Sequence, residues 1–157
     1  MSHKDEFCEH NCGCTNYTAV QSLEEMDFVK GIWYAAQNGD YDRVQKLLES
    51  GKYNTDHRDS AGYTPLHYAA RNGHLQVCKY LVQRGSDVNA VTKCGKATAL
   101  HRACTAGKID VVKFLISQNA NVNLKDADGK TAFDRAVNSN HHDICNLLKG
   151  QDNIDEQ

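Results

Sequence analysis

The densest group of possible metal ligands in this chain lies near its start, where Cys8, His10, Cys12 and Cys14 fall within seven residues. Thiolate and imidazole groups are ligands that zinc prefers, but a structural zinc site normally pairs two such clusters across a loop. No second cluster follows in the sequence. We therefore predict a flexible, Cys-rich tail over residues 1–21. Two alternatives stay open: adventitious metal binding and a metal site shared with a partner.

A second group of possible ligands, His141, His142 and Cys145, falls within one helical turn near the other end of the chain. It could in principle hold a metal ion, but His141 also takes the position that His74 and Lys108 occupy in earlier copies of a repeated pattern. The sequence pairs no serine or cysteine nucleophile with a base, and it has neither a phosphate-binding glycine loop nor the ligand spacing of a calcium loop. We expect no catalytic residues, no cofactor and no enzymatic activity.

Composition limits the class of protein and of partner. The 157 residues carry a net charge of -2, and the lysines and arginines are dispersed, so neither nucleic acid nor a membrane is an expected partner. The seven cysteines form no framework of the kind that small secreted domains use, and the N-terminus is polar rather than signal-like. We predict an intracellular, reducing location, cytoplasmic, nuclear or both, in which Cys78 and Cys145 are small buried hydrophobic side chains.

Residues 59–91 contain one complete unit of two short helices. Thr64–Pro65 is a favourable helix start, because a threonine hydroxyl can cap free backbone N–H groups and proline is tolerated in the first turn. Gly73 and Gly85 are placed to end the first and the second helix. The second helix is predicted from apolar residues at helical spacing: Leu75, Val77, Cys78, Leu81 and Val82. A helix pair this short cannot cover its own apolar face, so it must stack on copies of itself.

The unit recurs along the chain with a period of 33 or 34 residues. The alanines of the first helices show this most clearly: Ala35, Ala69, Ala103 and Ala136. The helix reversals carry Gly39, Gly73, Gly107 and Asn140, and the ends of the second helices carry Gly51, Gly85 and Asn119. After glycine, asparagine best tolerates the left-handed conformation, so its appearance at these positions supports one shared backbone geometry. We predict four stacked copies.

The motif T-P-L-H-x-A, complete at 64–69 and nearly complete at 98–103, is the signature of ankyrin repeats, whose period is 33 residues. Over residues 28–149 the chain therefore resembles the ankyrin-repeat family. The resemblance implies an all-α solenoid of four helix-turn-helix repeats with projecting β-turn fingers, in which His67 and His101 brace the turns by hydrogen bonds. It places repeats at about 28–58, 59–91, 92–125 and 126–150, in a domain of residues 22–150 that a disordered tail follows at 151–157.

Solenoids of this kind commonly bind proteins on a concave surface, which fingertips and first helices line. The family's variable, partner-facing positions correspond here to Gln37, Asn38, Ser60, Ala61, Tyr63, Arg71, Asn72, Lys93, Lys96, Thr105, Asp128, Lys130 and Asn138. Tyr63 and Arg71 are the expected anchors, because aromatic and arginine side chains supply most binding hot spots. The resemblance implies a monomeric, non-catalytic adaptor for a protein partner of unknown identity. Alternatives are a regulatory inhibitor of an enzyme such as a kinase, or a metal-binding module that uses the N-terminal tail.

One possible modification site is Asn89. It follows Leu81, Asp87 and Val88 at the spacing found in ankyrin repeats that an asparaginyl hydroxylase modifies, whereas Asn123 lacks the acidic residue two positions earlier. The resemblance therefore implies hydroxylation of Asn89. The alternative is a structural asparagine whose amide bonds the backbone of the finger.

Overall fold

The computed structural model of the chain describes residues 31–152, which form eight α-helices and no β-strand. The helices are α1 Ile32–Gln37, α2 Tyr41–Glu49, α3 Pro65–Asn72, α4 Leu75–Gln83, α5 Ala99–Ala106, α6 Ile109–Ser117, α7 Ala132–Asn138 and α8 His142–Asp152. Consecutive helices pair, first helices of neighbouring pairs pack together, and so do second helices. Helix pairs thus stack into an all-helical solenoid. None of the eight helices is long and apolar enough to cross a membrane.

The two predicted tails lie largely outside the described residues. The predicted N-terminal tail at 1–21 falls wholly outside them, as do residues 22–30 at the start of the predicted repeat domain. Helix α8 ends at Asp152, two residues into the segment that was predicted to be a disordered tail. The rest of that predicted tail, residues 153–157, lies outside the described residues.

Three of the four first helices, α3, α5 and α7, begin with the caps that the repeated motif predicts, whereas α1 follows Gly31 without a side-chain cap. His67 Nδ1 accepts a hydrogen bond from the Thr64 backbone N–H at 3.1 Å, and the same arrangement starts α5. In α7 the histidine is replaced by Asp134, whose Oδ2 accepts from the Thr131 N–H at 3.0 Å and from its hydroxyl at 3.1 Å. A carboxylate oxygen thus replaces the imidazole nitrogen as acceptor, which explains why the helix start survives the loss of the motif's histidine.

The helix reversals have the left-handed geometry that the glycine pattern predicts. The residues concerned are Gly39, Gly73, Gly107 and Asn140, with φ of 70°, 75°, 73° and 60°. A Cβ at Gly39 would lie 2.5 Å from the ring of His74, and one at Gly107 would lie 2.5 Å from the ring of His141. Each glycine therefore makes room for a side chain of the next helix pair. Asn140 belongs to the last described pair, on which no further pair packs, so a Cβ is tolerated there.

Small side chains fill the interior of the stack. The four first-helix alanines predicted from the repeat are each at most 1 % exposed. Cys78 is fully buried and Cys145 is 7 % exposed, which confirms them as buried hydrophobic residues. Burial raises the pKa of the Cys78 and Cys104 thiols to about 12.

Candidate interaction surface

His67 in α3 and His101 in α5 each connect a first helix to the loop that follows the second helix of the same pair. The loops between helix pairs are loop 1 (residues 50–64), loop 2 (84–98) and loop 3 (118–131). Because His67 Nδ1 accepts from a backbone N–H, its Nε2 carries the proton and donates to the Ala97 carbonyl at 3.0 Å. His101 Nε2 reaches the Lys130 carbonyl at the same distance. The predicted bracing role of both histidines is confirmed, and it couples neighbouring repeats.

Neighbouring loops are also bonded directly to one another. The Lys93 N–H donates to the Ala61 carbonyl at 3.2 Å, and the Ala127 N–H donates to the Gly95 carbonyl at 2.9 Å. Loops 1 and 2 approach so closely that a Cβ at Gly62, whose φ is 80°, would lie 2.6 Å from the Lys93 backbone nitrogen. The three loops thus form one hydrogen-bonded row.

The last turn of each loop closes on an oxygen acceptor. These acceptors are Asp59, Thr92 and Asp126, which receive the backbone N–H groups of Tyr63, Ala97 and Lys130 at 2.8, 3.1 and 3.0 Å. In loop 1 the second oxygen of Asp59 accepts from the Tyr68 hydroxyl at 2.6 Å. Burial raises the pKa of Asp59, against these hydrogen bonds, which lower it. In loop 3 the second oxygen of Asp126 accepts from Arg135 Nε at 2.6 Å.

Loop 2 breaks this pattern, because Thr92 offers no carboxylate to the arginine that follows it. Arg102 instead lies over the ring of Tyr63, with its guanidinium carbon 5.0 Å from the ring centroid, and donates to the Tyr63 hydroxyl. Tyr63 also packs against the ring of His67 and is only 4 % exposed. The expectation that Tyr63 is a partner-facing anchor is therefore corrected: this side chain is used inside the protein to hold Arg102.

Most of the other predicted positions are accessible. Asn38, Ser60, Asn72, Lys93, Lys96, Thr105, Asp128 and Asn138 are exposed, and Gln37, Ala61, Arg71 and Lys130 are half-buried. Some polar groups among them already have internal partners. Asn72 Nδ2 donates to the Tyr68 carbonyl at 2.8 Å, and Asp128 Oδ2 accepts from Arg135 at 2.6 Å. The structure therefore favours the side chains of loops 1 and 2 over those of loop 3.

The motif-based choice of positions missed Arg58. Its Nη1 donates to the Gly62 carbonyl of its own loop at 2.9 Å and to the Val91 carbonyl of loop 2 at 2.6 Å. The sequence could have indicated Arg58 through its charge and its place one position before the loop acceptor Asp59. The bridge to loop 2 was not visible, because 33 residues separate the bonded groups.

Asn89 has a structural role at the base of the loops. Its Oδ1 accepts from the Asn121 backbone N–H of the next repeat at 2.8 Å, and the side chain is half-buried. Asp56 does the same one repeat earlier, accepting from the Asp87 N–H at 3.0 Å. This geometry is the structural alternative that the sequence left open. Hydroxylation of Asn89 stays a prediction, because its Cβ can be modified without removal of the amide.

The two groups of possible metal ligands in the sequence have different outcomes. Cys8, His10, Cys12 and Cys14 lie outside the described residues. Within residues 31–152, no group of three or more histidine, cysteine, aspartate or glutamate side chains is placed to hold a metal ion. His141 Nε2 is bonded to the Thr105 carbonyl at 3.1 Å, which matches the position of His74 on the Gln37 carbonyl at 2.8 Å. His141 thus has the inter-repeat role that the repeated pattern predicts.

Comparison with known proteins adds to this geometry. A family model described as ankyrin repeats (3 copies) matches residues 9–92, 32–126 and 87–157. Ankyrin repeat domain-containing protein 39 of Homo sapiens is 47 % identical over 38 % of this chain and 34 % of the relative. The Bos taurus protein of the same name is 53 % identical over 30 % of this chain and 25 % of the relative. The matched part therefore spans about a third or less of the length of these relatives.

Proposed function

The chain belongs to the ankyrin-repeat family, and we propose that it is a non-catalytic protein-interaction module whose partner lies on its loops and first helices. Ankyrin repeats generally mediate protein–protein interaction. In this proposal the four helix pairs are four repeats and loops 1 to 3 are their β-turn fingers. The partner is a protein rather than nucleic acid or a membrane, and the module acts as an intracellular monomer.

The observation that carries the proposal is the hydrogen-bonded row of loops. Lys93 and Ala127 tie each loop to the one before it through backbone N–H groups. Their side chains and those of neighbouring positions remain exposed. A surface whose backbone is already fixed loses little conformational entropy when a partner binds, so more of the contact energy remains as affinity. Such a surface is suited to recognition of a protein partner.

The buried titratable groups favour the same conclusion for the described residues. His67 is 1 % exposed and has both ring nitrogens in structural hydrogen bonds, so it is not placed to move a proton to a substrate. The Cys78 and Cys104 thiols are buried, and their pKa of about 12 keeps them protonated. A protonated thiol is a poor nucleophile. We therefore propose no enzymatic activity for this part of the chain.

The proposal is tested by mapping a captured partner. Affinity capture with a lysine-reactive cross-linker should place cross-links on the loop lysines Lys93 and Lys130 rather than on the second-helix lysines Lys46 and Lys113. With the purified partner, Arg71→Ala should weaken binding about ten-fold or more, because arginine is a frequent hot spot. Lys46→Ala is the control and should leave the affinity unchanged. Cross-links concentrated on the second helices, with no effect of Arg71→Ala, would refute the proposal.

A further inference from the structure

A depression of about 500 Å³ lies between the turns of loops 1 and 2. Its lining residues are Arg58, Asp59, Ser60, Gly62, Val91, Thr92, Lys93 and Lys96. The two loops meet there through the Lys93–Ala61 backbone hydrogen bond, and Gly62 permits the close approach. Arg58 spans the two loops by donating to a carbonyl of each. The walls are therefore fixed relative to one another.

The depression carries positive charge that the described residues do not neutralise. Arg58, Lys93 and Lys96 are all exposed, and none forms an ion pair with a carboxylate among residues 31–152. The lining carboxylate, Asp59, is directed into its own loop, where it accepts from two backbone N–H groups and from the Tyr68 hydroxyl. Three cations thus face the depression beside one carboxylate that is already hydrogen-bonded.

Loop 3 lacks this excess of positive charge. There Arg135 pairs with Asp126 and Asp128, each at 2.6 Å. Thr92 stands in loop 2 where loop 3 has Asp126, so the carboxylate that would neutralise loop 2 is missing. Loop 3 also carries Lys125 and Lys130, but it has two aspartates beside them, so the excess of positive charge is larger at the junction of loops 1 and 2.

The backbone at Lys96 supports a role for this junction. Lys96 has φ of 47°, a left-handed conformation that costs a residue with a Cβ about 1 kcal/mol or more. Glycine fills the equivalent turn positions of loops 1 and 3, where Gly62 and Gly129 have φ of 80° and 74°. Strain that is retained by a charged, exposed residue is consistent with use of its side chain at the surface.

We propose that this depression binds an acidic peptide segment of the partner, with carboxylate side chains between Arg58, Lys93 and Lys96. The inference rests on the proposed function and names the partner's chemistry. Carboxylates suit the site because it offers them several positively charged hydrogen-bond donors: the exposed ammonium groups of Lys93 and Lys96 and the guanidinium of Arg58, which is fixed by its bonds to two carbonyls. Complementary charge of this kind sets specificity and the rate of association.

The test uses the full chain and a fluorescein-labelled dodecapeptide of alternating glutamate and glycine, with the glutamine version as its control. We expect the glutamate peptide to bind at low salt and to shift the backbone amide resonances of Gly62 and Lys93, with little effect from the glutamine peptide. The double variant Lys93→Gln/Lys96→Asn should weaken binding about five-fold, since two surface ion pairs are lost. Asparagine is chosen because it accepts the left-handed backbone.

The matched control is Lys46→Gln/Lys113→Gln, which removes the same charge from the second helices and should change the affinity less than two-fold. Equal binding of the two peptides, or equal losses in both double variants, would overturn the proposal. So would tighter binding of a thymidine oligonucleotide, since that outcome assigns the site to nucleic acid. If the peptide result is negative while partner cross-links still map to the loops, only the acidic chemistry is wrong. Cross-links on the second helices would refute the interaction surface itself.

Discussion

His67 should make the folded protein sensitive to mild acid. Its neutral ring is held by two bonds of opposite polarity: Nδ1 accepts from the Thr64 N–H, and Nε2 donates to the Ala97 carbonyl. Burial lowers the pKa of His67 from 6.5 to about 4, with a smaller contribution from the positive charge of Arg102. Protonation of Nδ1 would also remove the acceptor for Thr64. The folded state therefore requires the neutral ring.

The direction and size of the effect follow from linkage. Because the pKa of His67 is lower in the folded state than in the unfolded chain, the unfolded chain binds more protons between pH 6.5 and about 4. The stability that the neutral ring of His67 contributes is thus fully present above pH 6.5 and is lost as the pH falls toward 4. One pKa unit corresponds to about 1.4 kcal/mol, so the full effect is about 3 kcal/mol. Near pH 5 the loss should be about 2 kcal/mol.

Urea unfolding near pH 7 and near pH 5 measures this loss. The variant His67→Gln lacks the titrating ring, so the stability difference between the two pH values should shrink by about 2 kcal/mol relative to the wild type. His142→Gln, at an exposed position of α8, is the control and should keep the wild-type difference. If the glutamine variant is too unstable, the ring resonances of His67 in the wild type give a second measurement. Protonation of that ring with a midpoint near pH 6.5 would refute the reasoning.

Two further predictions concern the loops. Gly129→Ala should lower the free energy of unfolding by about 1 kcal/mol, since its φ of 74° is left-handed but its Cβ would meet open space. Gly62→Ala should lower it by at least about 1 kcal/mol more, because its Cβ would meet the Lys93 backbone. Equal losses of stability in thermal or urea unfolding would contradict the close approach of the loops. Asn89→Ala should destabilise the fold by about 1 kcal/mol through loss of the hydrogen bond from the Asn121 backbone N–H. If Asn89 is hydroxylated, mass spectrometry of the tryptic peptide from residue 85 to residue 93, purified from cells, should show one added oxygen.

Local rules made much of the architecture predictable. Thr64, Thr98 and Thr131 are each followed three residues later by a group that can accept a hydrogen bond, so the starts of α3, α5 and α7 follow from the motif. The replacement of His67 and His101 by Asp134 in the third motif was visible as a departure. That it preserves the cap follows only once the carboxylate is seen on Thr131.

The candidate surface was predictable in outline but not in charge. Arg71 lies on a first helix and Lys93 in a loop, and both are at least partly accessible, so their role in binding stays a prediction. It misassigned Tyr63 because a tyrosine before the Thr-Pro motif looks the same whether solvent or an arginine 39 residues away lies beside it. Loop 2 has Thr92 where loops 1 and 3 have Asp59 and Asp126, and this difference could be seen in the sequence, although its consequence for Arg102 could not.

The repeat follows from local patterns in the chain, because left-handed glycines, helix caps and apolar spacing act within a few residues of one another. Which side chains stay accessible depends instead on how the repeats pack. Stacking brings groups about one repeat apart into contact, as Arg58 reaches Val91 and Arg102 reaches Tyr63. Such contacts depend on where two loops meet in space. The burial, the pKa and the uncompensated charge of the loop side chains therefore follow from how neighbouring repeats pack and not from any one repeat alone.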